Sequence, residues 1–204
     1  MRKHPISKTV AGLTVPFARH PEVRRLKRNG HNPSIHGTKL WGSGHLLIDF
    51  IASNSSLAPA SVIDAGCGWG LAGIWCAKTF GAAVASVDAD RCVMPYLELT
   101  AQLNDVSVNP IVAHFEDIDE NILGATDWLI GSDICFWDDL AEPVTEMISR
   151  AIDSGTKRIL IADPQRAPFL RVAEAILSGY GGELLEWRVK GTRSSGVILV
   201  IENA

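Results

Sequence analysis

The architecture is written most plainly in Ser61-Val62-Ile63-Asp64-Ala65-Gly66-Cys67-Gly68-Trp69-Gly70-Leu71. A short β-branched run ends in an acid, three glycines follow at alternate positions, and an apolar helical pattern starts directly behind them at 71–80. This reads as strand, tight turn, helix. Glycine lets the backbone take left-handed angles and lets a ligand approach without meeting a Cβ atom. The first helical turn adds free N–H groups and the positive end of a dipole. A dinucleotide loop of the form GxGxxG would place its third glycine at 71, where this chain has Leu71; the register is GxGxG instead. Asp64, Gly66, Cys67, Gly68 and Gly70 are therefore the first candidate cofactor-binding residues.

Working outward, short strands alternate with longer helical patterns. Strands are expected at 61–64, 83–88, 109–114, 127–132 and 157–163, and helices at 71–80, 91–104, 138–153 and 168–180. The last two apolar runs, 183–190 and 195–202, are joined only by Gly191-Thr192-Arg193-Ser194 and must pair antiparallel, since a parallel return needs a crossover of about a dozen residues. The fold class is α/β: a Rossmann-like seven-stranded sheet, mostly parallel, closed by an antiparallel C-terminal hairpin, with helices on both faces. Upstream, 21–28 and 40–52 read as helices, the first with Pro21 in its first turn and Asn29-Gly30 as its stop. Two units are expected, a basic N-terminal arm with a short helix over 1–40 and the main domain over 41–204.

The bulk numbers fit one ordinary core: 204 residues, 47% hydrophobic and 21% charged. No apolar run approaches the ~20 residues of a spanning helix, so no membrane partner is expected. Cys67, Cys76, Cys92 and Cys135 form no CxxC pair or zinc-ligand set, and we read them as reduced thiols in a cytoplasmic protein that binds no metal. The N-terminus carries no secretory h-region; its Arg-rich, acid-poor start resembles a transit peptide, although Ser is sparse. The net charge of −4 hides an asymmetry, because residues 1–40 hold nine Lys or Arg against one acid, Glu22. Such an arm can dock on its own acidic domain or meet an acidic partner; nucleic acid is not the expected one.

Further candidates fall at the carboxyl edge of the sheet, where ligands of α/β folds bind. Asp88 ends the second strand and can accept both hydroxyls of a ribose, while Asp90 suits a helix cap. After the third strand, Phe115, Glu116 and Asp117 are placed to cover an adenine ring and accept from its amine. After the fourth come Ser132, Asp133, Phe136, Trp137, Asp138 and Asp139. An acid followed by two aromatics suits a pocket that orients a nucleophile and excludes water. Asp133, Phe136 and Trp137 are the catalytic candidates, with Asp138 and Asp139 as alternatives that equally suit a helix start. Asp163-Pro164 reads as a pocket rim or a turn, His36, His45 and His114 as structural or rim residues, and Trp75 as core.

The string D-A-G-C-G-W-G, the acid after the second strand and the closing hairpin together resemble the class I S-adenosylmethionine-dependent methyltransferases, whose sheet runs in the order 3-2-1-4-5-7-6. That resemblance implies S-adenosylmethionine as the cofactor, with Asp64 facing the ammonium of its methionine moiety. Leu40-Trp41-Gly42-Ser43-Gly44-His45, Ser132-Asp133-Ile134-Cys135-Phe136 and Ile161-Ala162-Asp163-Pro164-Gln165-Arg166 narrow it to the protein-lysine methyltransferases, near the branch acting on the electron-transfer flavoprotein beta subunit. There an upstream Trp lies at the cofactor and a D-x-x-Y or D-x-x-F motif at the substrate, which match Trp41 and Asp133. Ser132 is counted with the cofactor contacts. Phe136 stands where Tyr is usual, and Gly42 where proline often follows the Trp, so lysine specificity is open. The methyl acceptor is a protein or a small molecule; the alternatives are a small-molecule N- or O-methyltransferase and a non-catalytic cofactor-binding module. An NAD-dependent oxidoreductase is disfavoured by Leu71 and the hairpin.

Overall fold

A computed structural model describes residues 4–33, 42–54 and 58–203 of the protein. Seven strands form one sheet: β3 (Ser61–Ala65), β4 (Ala83–Asp88), β5 (Asn109–Val112), β6 (Trp128–Ser132), β7 (Arg158–Asp163), β8 (Glu183–Arg188) and β9 (Ser195–Glu202). Their order is β5-β4-β3-β6-β7-β9-β8, with β9 antiparallel to both β7 and β8 and the other pairs parallel. Counted within the sheet this is 3-2-1-4-5-7-6, the order that the sequence resemblance implies.

The strands are apolar on both sides, and alternate residues feed two cores. Val62, Ile130, Leu160, Ile198 and Val200 pack on one face under α2 (Gly42–Asn54), α3 (Leu71–Phe80) and α4 (Met94–Gln102). Ile63, Leu129, Ile159, Leu199 and Ile201 pack on the other under α5 (Glu120–Gly124), α6 (Ala141–Ser154) and α7 (Ala167–Tyr180). The two-residue period of the strand thus sorts one sequence run into two layers.

Three expectations are corrected in detail. The helix expected at 91–104 is a 3₁₀ turn, Arg91–Val93, followed by α4, because Pro95 has no N–H and fits only a first helical turn. Asp90 caps that turn as expected, accepting from the Cys92 N–H at 2.9 Å. The helix expected from 138 likewise begins as a 3₁₀ turn, Asp138–Leu140, before α6, which carries Pro143 in its first turn. The third strand ends at Val112 rather than 114, and the chain then enters the 3₁₀ turn Phe115–Asp117.

Within the first forty residues, α1 spans Pro21–Arg28 as its proline and glycine signals predict, with Gly30 at φ +89° behind it. Ahead of it lies a hairpin that sequence reasoning missed, β1 (Ser7–Val10) and β2 (Leu13–Pro16), turning through Ala11 and Gly12, both at positive φ. Leu13 and Val15 are buried in the core beneath α2–α4, and the Thr14 N–H and carbonyl pair with the buried Asn104 side chain at 2.8 Å each.

Candidate cofactor and acceptor site

The carboxyl ends of β3 to β6 enclose a cavity of about 380 Å³. One side of it is built by the glycine loop. Cys67 N–H donates to the Val87 carbonyl (2.9 Å), Gly68 N–H to Asp88 Oδ2 (3.0 Å) and Gly70 N–H back to the Cys67 carbonyl (2.8 Å). A Cβ on Gly68 would meet nothing within 4 Å, so this backbone is open to a ligand. Gly70 is different: it starts α3 at φ +76°, and a Cβ there would lie 2.2 Å from Leu97. It allows α3 and α4 to approach and does not line the cavity.

Asp64 is buried on the α3 side of the sheet, where its Oδ2 accepts from the Gly73 N–H at 3.0 Å. The approach is close enough that a Cβ on Gly73 would sit 2.8 Å from that oxygen. Burial pushes the Asp64 pKa up to about 7, the Gly73 N–H opposing and the Asp88 charge adding. Asp88 is half-buried; its Oδ1 accepts from Asp90 N–H at 2.9 Å, and burial again raises its pKa against the two backbone hydrogen bonds. Each of its oxygens keeps a lone pair for further donors. Phe115 and Glu116 line the cavity, whereas Asp117 is exposed and does not. Trp41 and His36 lie outside the described residues.

The opposite side comes from the ends of β6 and β7. Ser132, Asp133, Phe136 and Trp137 all line the cavity, as does Gly44 of α2. Asp133 is buried with φ +57°, a backbone angle that Asp tolerates better than most residues. It is held from three directions: its N–H donates to the Ala162 carbonyl (2.9 Å), its Oδ2 accepts from Ser43 N–H (3.1 Å), and its Oδ1 pairs with Arg166 Nη1 (2.7 Å). The same Nη1 reaches Asp163 Oδ2 (2.9 Å), and Asp163 Oδ1 accepts from the Arg166 N–H (2.7 Å). The guanidinium lies 4.4 Å over the Phe136 ring. Asp163 thus makes the expected turn and also an ion pair. Burial pushes its pKa up to about 6, Arg166 opposing and Asp133 adding.

Sequence reasoning missed Arg166 and the Ser43 N–H. The i,i+3 spacing of Asp163 and Arg166 behind a strand was the available signal for the first. Asp138 pairs with the exposed Arg171, and neither Asp138 nor Asp139 lines the cavity. Trp75 is core, as expected.

A crevice at the strand ends of a 3-2-1-4-5-7-6 sheet, with a GxGxG loop on one side, defines a class I methyltransferase fold. A methyltransferase from Pyrococcus furiosus superposes with a TM-score of 0.63 at 16% identity, covering 90% of this chain and 98% of that one. The ribosomal protein L11 methylase of Lactobacillus delbrueckii subsp. bulgaricus gives 0.59 at 18% identity, covering 79% of each. The family model described as lysine methyltransferase matches residues 22–174, and the chain belongs to that family. Membership makes S-adenosylmethionine the expected cofactor. The chain is also 27% identical over 130 residues to the electron transfer flavoprotein beta subunit lysine methyltransferase of Xenopus laevis. That match takes in 63% of this chain and 52% of the relative's length.

Proposed function

We propose that this protein transfers the methyl group of S-adenosylmethionine to a lysine amine of a protein substrate. The observation that carries the acceptor reading is the Asp133–Arg166–Asp163 cluster: two carboxylates share one cation beside an aromatic wall. With both acids ionised the cluster keeps a net negative charge, which favours an ammonium over an anionic group. The family match and the name of the Xenopus relative support the same choice. Residues 92–149, which include most of the acceptor wall, hold twelve acids and no Lys or Arg, the wrong sign for a phosphate backbone.

The residues fit the cofactor on their own chemistry. Gly68 offers open backbone, Asp88 keeps lone pairs for ribose hydroxyls, and Phe115 and Glu116, which line the cavity, suit an adenine ring and its amine. Asp64 is a buried carboxylate with a raised pKa, and the donor's ammonium would return it to the ionised form. When bound, S-adenosylmethionine supplies an electrophilic methyl group on a sulfonium centre.

The chain's own contribution on the acceptor side is positioning and desolvation. Asp133 accepts from the amine and aims it, and Phe136 and the half-exposed Trp137 flank the lysine stem. The nitrogen needs a free lone pair, and a carboxylate raises rather than lowers an amine's pKa. Asp133 therefore orients, and the proton leaves to water. Among the described residues no helix is long and apolar enough to cross a membrane. The four cysteines are free thiols, which supports a cytoplasmic setting within this proposal.

The test is labelled S-adenosylmethionine incubated with the protein and either total protein extract or purified electron transfer flavoprotein. Label recovered as methyl-lysine is expected. Label confined to small molecules, or to protein oxygen atoms, would overturn the lysine reading.

A further inference from the structure

Trp69 is the large side chain of the donor loop, and no step proposed above uses it. It forms part of the cavity wall yet is only 5% exposed. Its ring stacks on Tyr96 of α4, with centroids 5.1 Å apart and planes 10° from parallel. Val23 of α1, fully buried, closes the same small cluster, with Leu26 and Leu99 at its edge. The Tyr96 hydroxyl donates to the His31 carbonyl just beyond α1, at 2.5 Å. Below it, Asn104 after α4 is stitched to Thr14 of β2 through both its amide groups. Residues 13–31 thus brace α4, and α4 braces Trp69.

The loop needs such a brace. It holds glycines at 66, 68 and 70, all at positive φ, and glycine gives up more conformational freedom on ordering than any other residue. A loop kept in its bound shape before the ligand arrives binds more tightly, because the ordering cost is not charged to binding. We propose that Tyr96, braced by Val23 and the His31 carbonyl, is a positioning residue that acts through Trp69 to hold the donor loop, so that the N-terminal segment sets donor affinity. This rests on the assignment of the 66–70 loop to S-adenosylmethionine.

The test measures S-adenosylmethionine affinity by calorimetric titration, well below every melting midpoint, for wild type, Tyr96→Leu, Tyr96→Phe, Val23→Ala and the control Ile176→Ala. Ile176 is buried on α7 against the opposite face of the sheet. Tyr96→Leu loses the stack and is expected to bind a few-fold to about tenfold more weakly. Tyr96→Phe keeps the stack and should recover most of that loss. Val23→Ala shifts the same way by less, and it carries the comparison if Tyr96→Leu fails to fold. Ile176→Ala should stay within about twofold of wild type even at a larger loss of melting temperature. Affinity unchanged in both Tyr96→Leu and Val23→Ala, or lost equally in Ile176→Ala, would overturn the proposal. A wild type that does not bind the donor would instead overturn the loop assignment, a result read before any variant is compared.

Discussion

The proposed donor and acceptor sides of the cavity are built by different means. The donor side is local: one strand-turn-helix unit supplies Gly66, Gly68 and the hydrogen bonds of the loop, and the neighbouring strand adds Asp88 twenty residues on. The acceptor side is assembled from afar. Ser43, Asp133 and Arg166 come from three segments separated by ninety and thirty-three positions, and they meet only because β6 and β7 are neighbours and α2 starts beside them. A backbone-built site tolerates changes of side chain that a site made of mutually dependent charges does not.

That contrast can be broken experimentally. The largest effect should come from Arg166→Met, which leaves Asp133 and Asp163 buried together without their cation. Stability should fall by on the order of 3 kcal/mol in denaturant unfolding, and an unchanged midpoint would show that the cluster is not the coupled unit described. Asp88→Ala comes next, with donor affinity lower by about ten- to a hundredfold in titration, since it removes acceptors for the ribose and the anchor of Gly68 N–H.

A smaller effect concerns pH. Burial holds the Asp64 pKa at about 7 in the folded protein, against 3.8 for an ordinary aspartate. The carboxyl is therefore neutral in the folded state below that range and charged above it. Donor affinity should rise by up to about tenfold between pH 6 and pH 8 as Asp64 becomes available to an ammonium. The stability of the free protein should fall over the interval from about pH 4 to pH 7, because the folded state binds the extra proton. Asp64→Asn should flatten the affinity profile and remove only the Asp64 share of the stability fall, leaving that of Asp88 and Asp163. The smallest effect is Phe136→Tyr: a hydroxyl added at the edge of the acceptor wall should alter the transfer rate by no more than about threefold, one hydrogen bond's net worth.

The same contrast explains what was legible in the sequence. Strand and helix positions, the closing hairpin and the donor loop were readable because each is written in consecutive residues with a fixed period. Gly70 was read as a cofactor contact because the motif is recognised by spacing, whereas its neighbour Leu97 lies 27 residues away and leaves no local signal. Of Phe115, Glu116 and Asp117, read together as adenine contacts, the first two line the cavity and Asp117 is exposed, because the strand stops at Val112 and a 3₁₀ turn follows. The N-terminal hairpin was hidden by the charge of its surroundings, since its four-residue strands bury only Leu13, Val15 and Pro16. Asp133 was singled out from the sequence and lines the cavity, but its partner Arg166, 33 positions on, was not, and only the i,i+3 spacing of Asp163 and Arg166 hinted at it.

The division of labour between Asp88 and Asp133 can be measured by comparing Asp88→Ala with Asp133→Asn: S-adenosylmethionine affinity in each, and the single-turnover rate of methyl transfer to protein lysine at saturating donor. Asp133→Asn is expected to bind the donor within about threefold of wild type and to transfer about a hundredfold more slowly, while Asp88→Ala binds weakly and, once saturated, transfers near the wild-type rate. Loss of donor affinity in both variants, with transfer rates that match at saturation, would contradict it.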